Sequence, residues 1–270
     1  MSLDLLYITN NEKEVMEAEN AGVDIIFIDL EKNGKYERQG HLDTVISNHS
    51  LEDIRKIKPF LKKSKILTRI NPIYKGSKEE IEKVIEFGAD IIMLPMFKTK
   101  EEVEIFIKLV KGRVKTCLLL ETSQALCRIN DILEITGIDM IHIGLNDLHL
   151  SLHLNFMFEC LSGGIAEYLI NKIKAKKIKY GIGGIARIGE GELPAEMILS
   201  EHVRLGSSMV ILSRTFKNSN SNLKSGIKKL REKYIELQKC TKEELENNSQ
   251  EVKKIVNKIA KQRREKENVL

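Results

Sequence analysis

Eight runs rich in isoleucine, valine and leucine punctuate the chain, at residues 5–9, 25–31, 66–71, 91–97, 116–121, 140–147, 180–185 and 209–216. Most are apolar at consecutive positions, the pattern of parallel strands buried on both faces. The stretches between them repeat apolar residues at helical spacing, as do Ile81, Val84 and Ile85 within 78–87. Three of these helical stretches end in the same way before the next strand: Ala21-Gly22-Val23-Asp24, Phe87-Gly88-Ala89-Asp90 and Thr136-Gly137-Ile138-Asp139. Glycine there suits a left-handed helix cap, and the polar residue turns the chain into the strand. Strand–helix alternation repeated eight times predicts an α/β fold, a (β/α)8 TIM barrel, rather than a doubly wound sheet. Thr9-Asn10 supplies the cap of the first helix, and Pro194 opens the seventh as its first residue.

After Phe216 the sequence Asn218-Ser219-Asn220-Ser221-Asn222 breaks the pattern, and charged helical sequence follows to the end. The expected division is a catalytic barrel over 1–240 and a charged helical tail over 241–270, the tail an exposed helix or a contact between copies. Residues 217–270 hold 15 Lys and Arg against 8 Glu, whereas the rest of the chain has 29 basic and 31 acidic residues. The net charge of +5 is therefore a property of the tail, not of a basic face on the barrel. With no tryptophan and no basic patch interleaved with aromatics, nucleic acid is not an expected partner. No apolar run approaches the roughly 18 residues that a membrane span requires, so no membrane is expected either. The first residues lack a basic segment leading into an apolar one, and Cys117, Cys127, Cys160 and Cys240 fall at no metal or disulfide spacing. Both features predict a cytoplasmic protein with reduced thiols.

In such a barrel the chemistry lies at the C-terminal strand ends. Read in order, those ends offer Glu31 and Lys32, Arg69 and Asn71, Pro95, Glu121, Asn146-Asp147, Gly183-Gly184 and Ser213-Arg214. Glu121 terminates the apolar run Leu118-Leu119-Leu120, where an unpaired carboxylate costs several kcal/mol that a cation can offset. A plain Arg69–Glu121 ion pair is the alternative reading.

The segments Gly88-Ala89-Asp90-Ile91-Ile92-Met93-Leu94-Pro95-Met96, Leu118-Leu119-Leu120-Glu121-Thr122 and Ile143-Gly144-Leu145-Asn146-Asp147-Leu148 resemble those of the HpcH/HpaI aldolase and citrate lyase family. Arg69-Ile70-Asn71 resembles its strand-three arginine motif, and Ala186-Arg187 with 201–214 extends the likeness over nearly the whole barrel. The resemblance implies that Glu121 and Asp147 bind Mg²⁺ or Mn²⁺, which chelates the carboxylate and keto oxygens of a pyruvate-like substrate. It implies that Arg69 stabilises the enolate oxygen and that backbone amides around Gly144, Leu145 and Asn146 hold the carboxylate. The implied function is a metal-dependent carbon–carbon lyase of the class II aldolase type acting on pyruvate or a related 2-keto acid. An acyl-CoA lyase of the citrate or malyl-CoA type and a non-catalytic barrel subunit are the alternatives. Family members usually form homo-oligomers, so a trimer or hexamer is expected.

The chain also departs from the family pattern. Lysine, Lys32, stands where the pyruvate-aldolase branch has a histidine after the strand-two glutamate, and Leu119 stands where that branch has a glutamine. Lys32 can act as acid or base if burial lowers its pKa, or can bind an anionic group. Glu86 on the third helix is a candidate carboxylate partner. In the polar stretch after strand two, Arg38 and Gln39 are candidates for recognition and His41 for the missing base. Three weaker signals are set aside. His149 and His153 have zinc-like spacing but no third ligand in sequence. The glycines of 181–186 lie on a strand rather than at a helix start, against a dinucleotide site. Ser207-Ser208 precede strand eight, at the wrong strand end for a phosphate.

Overall fold

The structure, a computed structural model, describes residues 2–34, 48–217 and 222–267. Its strands are β1 (Asp4–Ile8), β2 (Ile25–Asp29), β3 (Lys65–Arg69), β4 (Ile91–Leu94), β5 (Lys115–Leu120), β6 (Met140–Ile143), β7 (Lys179–Ile182), β8 (Gly184–Ile185) and β9 (Met209–Leu212). All pair in parallel, in the order β7-β6-β5-β4-β3-β2-β1-β9-β8. Only Gly183 separates β7 from β8, so the two ends of the sheet belong to one strand and the order describes a barrel. The single run expected at 180–185 is thus one strand with a kink. Gly183 adopts φ 45°, and a Cβ there would lie 2.9 Å from a Leu145 methyl carbon, so glycine serves both backbone and packing.

The helices are α1 (Glu12–Ala21), α2 (Leu51–Ile57), α3 (Ser77–Glu86), α4 (Lys100–Val110), α5 (Ser123–Cys127), α6 (Ile129–Ile132), α7 (Leu145–Ser151), α8 (Glu159–Ser162), α9 (Ile165–Ala175), α10 (Ala195–Leu205), α11 (Leu223–Leu237) and α12 (Lys242–Glu267). Alternation along each strand sorts side chains into two cores. Leu6, Phe27, Leu67, Met93, Leu119 and Met209 are among those that fill the barrel, while the opposite positions pack under the helices. The same alternation carries Arg69 and Glu121 inward, above the apolar plug.

The repeated Gly-x-Asp endings do more than turn the chain. Gly22, Gly88 and Gly137 all have positive φ, as expected. Each aspartate then accepts a backbone N–H from the preceding strand: Asp24 from Leu5 at 2.8 Å, Asp90 from Ile66 at 2.8 Å and Asp139 from Thr116 at 2.9 Å. The device stitches β1 to β2, β3 to β4 and β5 to β6 at the base of the barrel. Two caps differ from expectation. Asn11, not Thr9 or Asn10, caps α1 by accepting from Lys13 and Glu14, and Pro194 is the cap residue of α10 rather than its first turn. The tail is not an exposed helix: Leu245, Val252, Val256, Ile259 and Ala260 of α12 are buried, and the helix lies on α10 and α8. Among the described residues no helix is long and apolar enough to cross a membrane.

Candidate active site

β2 and β3 are in register such that Asp29 lies beside Arg69. Both point into the mouth, and the guanidinium is gripped from one side. Its Nε donates to Asp29 Oδ1 at 2.8 Å and Nη2 to Asp29 Oδ2 at 2.9 Å, while Nη1 lies 3.3 Å from Glu31. Phe27, two residues below on the same face, lies under the guanidinium at 5.6 Å. Burial acts to lower the arginine's pKa, but the charges of Asp29 and Glu31 overcome it and hold it above its ordinary value. Arg69 therefore pairs with strand-two carboxylates, not with Glu121, and the simple Arg69–Glu121 ion pair is not what forms.

Glu121 follows β5 and is 3% exposed. Its Oε1 accepts the Met96 N–H at 3.1 Å. Met96 reaches it from a left-handed conformation, φ 53°, which costs a non-glycine residue on the order of 1 kcal/mol. On the other side Gly144 allows close approach: a Cβ there would stand 2.9 Å from Glu121 Oε2. Burial holds the Glu121 pKa well above the usual carboxylate range, the Asp147 charge adds to this, and Arg69 pulls the other way. Asp147 lies in the first turn of α7, partly exposed. α7 is anchored to the Glu121 side of the mouth, because Ser151 Oγ accepts the Ser123 N–H at 2.8 Å and Thr122 caps α5. Thr122 also donates to the Phe97 carbonyl at 2.8 Å, locking the turn that carries Met96.

The residues expected to form the site separate into three groups. Arg69, Glu121, Asp147 and the opening of α7 come together at the mouth. Gly144 does so with a changed role, since its N–H donates to the Leu120 carbonyl at 2.9 Å and is spent in the sheet. Leu145 and Asn146 begin the helix, where N–H groups lack acceptors within it. Lys32 is at the rim but exposed, so the burial on which an acid–base role depended is missing. Glu86 is exposed at the C-terminal end of α3, which runs antiparallel to the strands and so ends at the base of the barrel. His41, Arg38 and Gln39 lie outside the described residues. His149 is buried, with Nδ1 against the Asn146 carbonyl, while His153 is exposed, so the two form no zinc pair.

Sequence reading missed four participants. Asp29 is one. Met96 is a second. Glu80, buried in the first turns of α3, is a third: its Oε1 accepts from the Asn71 backbone and side-chain nitrogens at 3.2 and 2.8 Å. Asn71 Oδ1 in turn accepts the Lys32 and Asn33 N–H groups at 2.9 and 3.0 Å, holding the turn after Glu31. His49 is the fourth, accepting the Asp29 N–H on Nδ1 at 3.0 Å. Lys32, His49, Asn71 and Glu80 also line a cleft of about 440 Å³ beside the mouth. The one signal for Glu80 in the sequence is the helical phase of 78–87, which puts position 80 on the same face as the apolar Val84.

Comparison with known proteins bears on this arrangement. The family model for HpcH/HpaI aldolase/citrate lyase matches residues 4–157, more than half of the chain. The chain belongs to the HpcH/HpaI aldolase/citrate lyase family. No curated protein sequence matches it. Among solved structures it is similar to an HpcH/HpaI aldolase from Desulfitobacterium hafniense DCB-2, with TM-score 0.63 and 15% identity over 86% of this chain and 93% of that one. It is similar as well to the citrate synthase SbnG, with TM-score 0.62 and 17% identity over 86% and 94% of the two chains. A family protein from Burkholderia cenocepacia J2315 matches with TM-score 0.61 and 14% identity over 88% and 95%. At these identities the solved structures speak for the barrel, and the family model for a lyase-family chain.

The chemistry of the Glu121–Asp147 pair fits a divalent cation. Glu121 is a desolvated carboxylate whose charge is opposed by a second carboxylate, and its Oε2 lies in a cradle that a side chain at 144 would fill. Both donors are hard oxygens, suited to Mg²⁺ or Mn²⁺ rather than to structural zinc. Among the described residues no three His, Cys, Asp or Glu side chains gather to hold a metal.

Proposed function

We propose that the protein is a divalent-metal-dependent carbon–carbon lyase that forms the enolate of pyruvate or a related 2-keto acid. The observation that carries this reading is the buried Glu121 carboxylate facing the Asp147 charge at the same mouth as a clamped Arg69. Mg²⁺ or Mn²⁺, held by Glu121 and Asp147, would supply a fixed positive charge to the oxygens of the bound keto acid. The chain's own residues account for the rest. Arg69 commits two of its five N–H donors to Asp29 and pairs through Nη1 with Glu31, and its remaining donors would serve an oxygen that gains charge as a neighbouring C–C or C–H bond breaks. Because the carboxylates hold the guanidinium in place beforehand, little reorganisation opposes that stabilisation. The Leu145 and Asn146 N–H groups receive the substrate carboxylate at the helix start. Lys32, exposed at the rim, would hold an anionic part of the second substrate.

The test is deuterium exchange into the methyl group of pyruvate, with oxaloacetate decarboxylation alongside, in Mg²⁺ or Mn²⁺ and then with chelator. Exchange should require the metal and should vanish in Glu121→Ala and Asp147→Ala. Full exchange in Asp147→Ala would sink the assignment. Metal binding without exchange would favour a thioester substrate, and a wild-type chain that binds no metal would favour a non-catalytic barrel.

A further inference from the structure

The C-terminal helix lies beyond the segment that the family model matches, and the chemistry above does not use it. It is nonetheless built into the mouth. Thr241 and Glu244 form a reciprocal cap: Glu244 accepts the Thr241 N–H at 2.7 Å and donates its own N–H to Thr241 Oγ1 at 3.2 Å. Leu245, Val252, Val256 and Ile259 then fall on one face and are buried. Aliphatic burial of that extent fixes the helix firmly on α10 and α8. Asn248 adds a hydrogen bond to Ser200 Oγ at 3.1 Å.

Near the far end, Arg263 spans two loops. Its Nη1 donates to the Asn155 carbonyl at 3.4 Å, its Nη2 pairs with Glu192, and its guanidinium lies 4.5 Å from the Phe156 ring centre. Asn155 and Phe156 belong to the loop that leaves α7, the helix of Asp147. That loop is hooked to α7 by the Leu154 N–H on the His149 carbonyl at 2.9 Å. It is hooked to α8 by Glu159, which accepts both the Asn155 and Phe156 N–H groups at 2.8 Å. Glu192 lies in the loop between β8 and α10. One planar fork therefore ties together the mouth loops on either side of the β7–β8 strand, which a lysine cannot do in the same geometry.

We propose that Arg263 is a positioning residue for Asp147: α12 braces α7 from outside the barrel and fixes the aspartate's place opposite Glu121. The functional consequence rests on the metal reading above, but the brace itself does not. The experiment compares full-length wild type with Arg263→Ala, Arg263→Lys and Glu192→Gln. It measures Mn²⁺ binding by calorimetry, keto-acid exchange at saturating Mn²⁺, and amide hydrogen exchange. Arg263→Ala should weaken Mn²⁺ binding about tenfold or more, the usual effect of losing a group that orients a ligand. Turnover at saturating Mn²⁺ should be nearly kept. Amide exchange should quicken over 145–158 while the strands stay protected. Arg263→Lys should not rescue, and Glu192→Gln should shift the same readouts by less. Wild-type Mn²⁺ affinity together with wild-type protection over 145–158 in Arg263→Ala would overturn the proposal, as would loss of protection throughout the barrel. If wild type binds no Mn²⁺, the metal reading fails by itself, and protection over 145–158 still decides the brace.

Discussion

Asp29 shows how one side chain can hold the position of another. Its two oxygens take Nε and Nη2 of Arg69, and Oδ1 also receives the Glu31 N–H at 3.3 Å. Removing its charge should leave Glu121 and Asp147 in place but free the guanidinium to turn. Asp29→Asn is therefore expected to lower kcat/KM for keto-acid exchange by about 10²-fold, the scale of a misplaced catalytic group. Mn²⁺ affinity should stay within a factor of about 2 of wild type by calorimetry. A parallel loss of metal affinity would place Asp29 with the cation rather than with the arginine. Met96 illustrates the same economy in the backbone, since a left-handed turn sends its N–H to Glu121.

Among the elements, the Gly-x-Asp endings and the opening of α7 divide the work between base and mouth. At the base, Asp90 accepts the Ile66 N–H and is paired with Lys58 through both oxygens at 2.8 Å. The pair with Lys58 is partly exposed and contributes little by itself; the backbone bond carries more. Asp90→Ala should cost about 1–2 kcal/mol in urea unfolding and leave exchange activity unchanged, because the residue is at the far end of the strands. A fall in activity at full occupancy of the folded state would mean that strain at the base reaches the mouth. α3 teaches the related lesson about direction. Both Glu80 and Glu86 are acidic residues of one helix, yet only Glu80 is near the mouth, because the helix returns from mouth to base.

At the scale of the whole molecule the barrel stores a sensitivity to acid. His142 sits inside the barrel and His202 on the buried face of α10, each essentially without exposure. His142 Nε2 meets the Gly183 carbonyl at 2.9 Å and His202 Nδ1 meets Ser207 Oγ at 2.9 Å, while His142 Nδ1 and His202 Nε2 have no hydrogen-bond partner. Burial lowers their pKa values to about 4 and about 3, so both rings are neutral in the fold. An unfolded histidine takes a proton near pH 6.5, and so the unfolded chain binds more protons below that pH. Stability is thus unaffected by these rings above about pH 6.5 and falls as the pH drops toward 4, by up to roughly 1.4 kcal/mol per pH unit for each ring. Urea unfolding between pH 7 and 4.5 should show this slope. Relative to wild type, the slope should lessen by about one proton in His202→Asn; an unchanged slope would show that carboxylates alone govern the loss.

Much of this was legible in the amino-acid order because it depends on near neighbours. Strand runs, helical phase and the three Gly-x-Asp endings follow from local geometry, and they suffice for a (β/α)8 barrel. Strand ends then point to Arg69 and Glu121, since parity decides which side chains face inward, while Asp147 falls beyond β6 in the first turn of α7. The tail is expected as an exposed helix or a contact between copies, whereas Leu245, Val252, Val256 and Ile259 of α12 are buried on α10 and α8. What the order could not contain is which elements meet. Arg69 pairs with Asp29 and Glu31 rather than Glu121 because β2 and β3 are adjacent in a set register, 40 residues apart in sequence. Gly144 gives up its amide because β6 pairs with β5, and Lys32 stays exposed because the turn is held by its backbone rather than its side chain. Arg263 reaches the loop after α7 across 108 residues. Local periodicity decides what each segment is; the closure of the barrel decides which charges face one another, and the site is made of those encounters.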